Sequence, residues 1–115
     1  MPLFCIVAHD KADTAAPARR QAARGAHFHR TQLAVNRGQV HFAGSMLAED
    51  GTMRASVLIV DFPTRAALDA WLAEEPYVLN GAWERIEAAP LFVAVQDGRI
   101  TQRWLDLMQP ILDGR

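Results

Sequence analysis

Gly38-Gln39-Val40-His41-Phe42-Ala43-Gly44-Ser45-Met46-Leu47, then Ala48-Glu49-Asp50-Gly51-Thr52, then Met53-Arg54-Ala55-Ser56-Val57-Leu58-Ile59-Val60-Asp61-Phe62 is the stretch that decides the fold. From Gln39 to Leu47, Val40, Phe42 and Gly44 alternate with His41, Ala43 and Ser45, the period of a strand. Asp50-Gly51 is a hairpin signal. Arg54 to Phe62 reads as another strand, mostly apolar at its centre. Two strands joined by so short a turn pair antiparallel.

Outward from this hairpin the pattern becomes helical on both sides. About Ala18 to Asn36 is rich in Ala, Arg and Gln, all good helix formers. Pro17 suits its first turn and Arg37-Gly38 its C-terminal stop. Gly25, about 1 kcal/mol less favourable than Ala inside a helix, suggests a close approach by another element. After the hairpin, Thr64 is placed to cap a helix running to Glu74, with Leu68, Trp71 and Leu72 on one face. Beyond the helices lie two more strands. Leu3 to Ala8 is continuously apolar, as in a strand covered on both faces. Trp83 to Val95 is interrupted by Pro90, which suits an edge or a bulge.

The order β-α-β-β-α-β is that of an α+β, ferredoxin-like domain, here residues 1–96. It predicts a four-stranded antiparallel sheet with both helices on one face. The other face needs a cover, and a second copy of the chain is the expected one, giving a homodimer through the open sheet face. Residues 97–115 are an extension. After Asp97-Gly98, the residues Ile100, Trp104, Leu107, Met108, Ile111 and Leu112 recur at helical spacing, and Pro110 should kink or fray the end. This C-terminal helix either packs on its own subunit or the partner, or serves as a lid.

With 115 residues, half of them hydrophobic, the chain can bury a core. A net charge of −1 gives no reason to expect nucleic acid or an anionic membrane as partner. No segment approaches the roughly 20 apolar residues of a membrane span. The first residues lack a basic leader region and stop being apolar at His9-Asp10. The one cysteine, Cys5, lies in an apolar run and reads as a reduced, buried structural thiol; a cytoplasmic location is expected.

The four histidines do not have metal-site spacing. His27 and His29 lie two apart, about 200° around a helix, and no Cys/His cluster exists. Neither a metal nor a cofactor is expected. The helical neighbours of His27 are Arg24, Arg30 and Thr31, with Arg20 a further turn back, a cationic setting for a carboxylate, enolate or phenolate ligand. On spacing alone, a solvated surface histidine is the commoner case. Glu75-Pro76-Tyr77 sets a carboxylate and a hydroxyl at a proline-fixed turn, and on these residues by themselves a capping and packing role fits best. No phosphate loop and no nucleophile elbow are present.

Taken in order, these pieces resemble the YciI-like family. They are strand one with Asp10-Lys11-Ala12-Asp13, Arg24-Gly25-Ala26-His27, Leu33, Gly38 to Gly44, Ser56 to Val60, Glu75-Pro76-Tyr77, Gly81 and Pro90, all within residues 1 to about 95. The family usually has Pro at the position of Gly25, Pro at that of Ser45 and Asp at that of Glu75. The resemblance implies a dimeric α+β barrel, two ferredoxin-like units packed sheet to sheet. It implies a catalytic pair, His27 as general base or acid and Glu75 as its support; beside that pair, Arg24, Tyr77 and Ser45, whose hydroxyl stands where the family has Pro, are read as substrate-binding residues. It also implies a small cofactor-independent enzyme, one branch resembling a dehydrochlorinase of chlorinated hydroxyquinols, with a lyase-like proton transfer or elimination on a small anionic or phenolic metabolite. The alternative is a non-catalytic homodimer that binds a small molecule or another protein.

Overall fold

Leu3–Asp10 (β1), Ala16–Asn36 (α1), Val40–Leu47 (β2), Met53–Asp61 (β3), Arg65–Ala73 (α2), Pro76–Leu79 (α3) and Trp83–Pro90 (β4) follow one another in the computed structural model, which describes residues 3–114. The strands form one antiparallel sheet in the order β2-β3-β1-β4, the ferredoxin-like arrangement expected. The sheet is open: β2 and β4 are its edges, and it does not close into a barrel. The barrel implied by the family resemblance is therefore incorrect for this chain. Four strands are too few to bend round and pair edge to edge.

β1 alternates between buried Phe4, Ile6 and Ala8, which face the helices, and half-buried Leu3, Cys5 and Val7, which face away. The expectation of two covered faces fails here, because helices cover only one. Cys5 consequently lies half-exposed on the open face. On the covered side, Phe4, Ile6, Leu58, Val60 and Phe62 pack against Leu68 and Leu72 of α2 and against Tyr77 and Trp83. Each fully buried aliphatic side chain there contributes about 1.5–3 kcal/mol.

α1 turns a stripe of Ala16, Arg20, Ala23, His27 and Ala34 towards the sheet, with all but the half-buried His27 buried. The small alanines let the helix sit close, so its long polar side chains cross the gap. Gly25 is not part of that contact: a Cβ there would meet nothing within 4 Å, contrary to the expected close approach. α2 starts as expected, with Thr64 Oγ1 accepting from Ala67 N at 3.1 Å.

A bulge in β2 corrects the simple alternation. Val40 pairs with Val60 and Phe42 with Ile59, so His41 is the extra residue. Val40 is buried under the helices, but from Phe42 on every side chain is switched to the opposite face. Ala43 and Ser45 thereby turn towards α1, and Phe42 joins Leu3 and Ile59 on the open face.

β4 ends at Pro90 rather than reaching Val95. After it come a two-residue-stranded hairpin, Val95–Gln96 (β5) and Arg99–Ile100 (β6), and the helix Gln102–Leu112 (α4). Asp97 and Gly98 have φ of 53° and 73°, the left-handed pair a tight hairpin requires. Thr101 anchors this arm, donating from N to Ala94 O at 2.8 Å and from Oγ1 to Val93 O at 2.7 Å. No residue of α4 is buried. The arm extends the molecule to a radius of gyration of 16.8 Å, against about 13 Å for a compact chain of this length.

Candidate functional site

Pro76 explains the placement of Glu75. The residue before a proline is driven out of the helical region, and Glu75 is extended at φ −67°, ψ 127°, between α2 and α3. Its side chain turns back to cap α3, Oε1 accepting from Tyr77 N at 3.2 Å. Glu75 is thus the N-cap of a short helix that the sequence reading treated as a turn. The residue is completely buried.

A buried carboxylate needs compensating donors, and two more come from α1. His27 Nδ1 lies 2.5 Å from Glu75 Oε1, and Arg30 Nη1 donates to Oε2 at 3.3 Å. Arg30 also donates to Trp71 O and lies over the Trp71 ring at 4.6 Å. The His27 ring stacks on Tyr77 at 4.1 Å between centroids and meets the edge of Trp83 at 5.9 Å. Partner and ring plane are both set. With Nδ1 held by the carboxylate, Nε2 is the ring nitrogen left to act, and the imidazole lines a cavity of about 300 Å³ between α1 and the sheet.

The same cavity is lined by Arg24, Ser45 and Tyr77. All five residues singled out from the sequence therefore converge, although Glu75 stands behind the histidine rather than in the cavity wall. Arg24 is exposed at the mouth, with no carboxylate paired to it among the described residues. Arg20, noted in the sequence only as part of the cationic setting of His27, was given no role in the site. It is buried, lies 5.0 Å over the Tyr77 ring, and donates to Asp10 Oδ1 at 2.9 Å, Ser56 Oγ at 3.1 Å and Ser45 Oγ at 3.3 Å. Burial raises the Asp10 carboxyl above its ordinary value, against the opposing pull of Arg20. The signal for Arg20 was its position seven residues before His27, two turns back on one face. Among the described residues no three His, Cys, Asp or Glu side chains converge as a metal site, and no helix is long and apolar enough to cross a membrane.

An imidazole braced by a buried carboxylate, at the wall of a cavity on a ferredoxin-like sheet, defines a small α+β protein with a His–carboxylate site. The chain belongs to the YCII-related family, whose domain model matches residues 2–91. The YciI proteins of Escherichia coli O6:H1 (strain CFT073) and of Shigella flexneri are each 34% identical over 94 residues, 76% of this chain and 94% of theirs. Among solved structures, the fold resembles that of 5-chloro-2-hydroxyhydroquinone dehydrochlorinase from Burkholderia phenoliruptrix AC1100, in complex with 2,5-dihydroxybenzoquinone. The TM-score is 0.69 at 19% identity, covering 78% of this chain and 93% of that one.

Proposed function

We propose that the protein is a small cofactor-independent enzyme that moves a proton on a small anionic or phenolic substrate, in a lyase-like transfer or elimination. Glu75 accepts the Nδ1 proton of His27, which leaves the Nε2 lone pair available as the base. Nε2 takes a proton from a carbon or hydroxyl beside a carbonyl or aromatic ring. The electron pair left behind passes into that system and, in an elimination, expels the leaving group from the neighbouring carbon as an anion. The imidazolium then gives its proton to water. Arg24 and Ser45 hold the substrate and Tyr77 flanks it. Hydrolysis through a covalent intermediate fits less well: the Ser45 and Ser56 hydroxyls contact Arg20 rather than a base, and Cys5 lies on the other side of the sheet. The likeness in fold to a dehydrochlorinase supports the elimination.

The observation that carries this reading is the 2.5 Å contact between Nδ1 of His27, which lines the cavity, and the fully buried carboxylate behind it. Its test is a panel of phenols and 2-oxo acids, screened first for thermal stabilisation and then followed in D2O by proton NMR. The wild-type protein should exchange a substrate C–H for deuterium, and His27→Gln should lose at least a hundredfold of that rate. Ligands that stabilise both proteins equally, with no exchange in either, would refute it.

A non-catalytic, ligand-binding homodimer is the second reading. It is favoured by the open sheet face, where Phe42 is 55% and Met46 38% exposed beside Leu3, Val57 and Ile59. A second copy of the chain covers such a face at least cost, and the dimer suits the enzyme as well.

A further inference from the structure

Ser45 and Ser56 are a directly opposed cross-strand pair of β2 and β3: Ser56 faces the helices in alternation with Leu58 and Val60, and the bulge at His41 brings Ser45 to the same side. Both line the cavity that α1 roofs. Arginine has only donors, so in both contacts with Arg20 Nη2 the serine oxygen is the acceptor. Neither hydroxyl donates to any group among the described residues, so two O–H protons remain free side by side. Arg20 is itself held from behind: Nη1 is bound by Asp10, and its guanidinium lies over Tyr77. On the opposite wall, one turn beyond His27, the buried Thr31 Oγ1 has no hydrogen-bond partner among the described residues. A buried hydroxyl without a partner is uncommon and calls for one.

We infer that Ser45 and Ser56, positioned by Arg20, form an oxyanion-holding pair on the sheet wall of the cavity, which selects ligands bearing a carboxylate, enolate or phenolate oxygen. The inference rests on the cavity being the ligand site, and not on proton transfer by His27. The two serine protons converge on one ligand oxygen, and the guanidinium that their oxygens accept from polarises both hydroxyls. Asp10 offsets part of the Arg20 charge, so the arginine acts through the serines, while exposed Arg24 supplies charge at the mouth. Ser56 and Arg20 thereby join Ser45 in determining what binds.

The test uses two probes of equal shape, benzoate and benzamide, titrated by calorimetry into the wild-type chain and its variants. The wild-type protein should bind benzoate at least tenfold more tightly than benzamide. Ser56→Ala and Ser45→Ala should each weaken benzoate binding about fivefold to tenfold and leave benzamide within twofold. Ser56→Thr, which keeps the hydroxyl, should restore most of the preference. Arg20→Lys should lower the benzoate preference without abolishing folding, as read by circular dichroism. The inference is overturned if wild-type protein shows no saturable benzoate binding, or if the serine variants weaken both probes equally. It is also overturned if Arg24→Ala alone removes the preference while the serine variants keep it. Serine-dependent benzoate selectivity in a wild-type protein that exchanges no substrate C–H for deuterium would sink the proton-transfer reading and leave this pair standing.

Discussion

In α1, Arg20, His27 and Arg30 each run inward from an alanine-lined stripe and end on a buried acid or a carbonyl. In α4, Leu107, Ile111 and Leu112 are each more than half exposed and no residue is buried. The first helix is weakly apolar yet held by tertiary contacts. The second is strongly amphipathic yet held mainly by local ones: Thr101 caps it at Trp104 N, and Gln102–Asp106 and Gln109–Asp113 brace its surface. A helix of 11 residues is marginal on such support alone. A hydrophobic stripe in the sequence thus marks a surface in search of a partner as readily as a core. A stripe of alanines with a few long polar side chains can mark the functional wall.

The largest effect that would break this comparison is at Glu75. Replacing it with Ala leaves His27 and Arg30 without their buried acceptor and removes the α3 cap, which should cost about 3–5 kcal/mol and lower the melting temperature by more than about 10 °C. A loss below about 1 kcal/mol would mean that the carboxylate is not buried in solution.

Next comes a matched pair of truncations. Ile6→Ala empties a fully buried site in β1 and should cost about 2–5 kcal/mol in urea unfolding. Leu112→Ala, at a side chain 67% exposed, should stay within about 0.5 kcal/mol. If the two losses are alike, the arm is packed in solution and the contrast between the helices disappears. Repeating the measurement over a range of protein concentration tests whether a second copy does the packing.

The smallest effects are in the pH dependence. The Thr52 hydroxyl beside Asp50, and chiefly the Arg19 guanidinium beside Asp13, hold these carboxyls below the ordinary value near 3.8. Their contribution is therefore present above that pH and is lost as pH falls through the lowered values. Asp10 runs the other way. Burial raises its carboxyl, so its contribution is complete below about pH 3.8 and is lost as pH rises through the raised value. Asp50→Asn should lower the urea midpoint slightly at pH 6 and less at pH 3. An equal shift at both would remove Asp50 from the account.

The sheet order was legible because its parts are local: the Asp50-Gly51 hairpin, the Gly38 stop and the Thr64 cap are each read within a few residues. The meeting of His27 and Glu75 was legible only through the family pattern, since the two are 48 residues apart. What escaped depends on pairing at a distance. The bulge at His41 exists because β2 must pair with β3 and still present Val40 to the core, and Arg20 is buried because Asp10 and Ser56 arrive from two other strands. Arg24 attracted notice by sitting one turn from His27, but the buried stripe runs through residue 20. Both arginines lie near the face of His27, and only the strands that meet Arg20 set it apart as the buried one.

The central claim is that Glu75 holds Nδ1 of His27 and leaves Nε2 facing the cavity. A long-range proton–nitrogen NMR correlation of the neutral His27 ring reads this directly. The account predicts a proton on Nδ1 and a bare Nε2, with the pattern lost in Glu75→Ala; a ring carrying its proton mainly on Nε2 would contradict it.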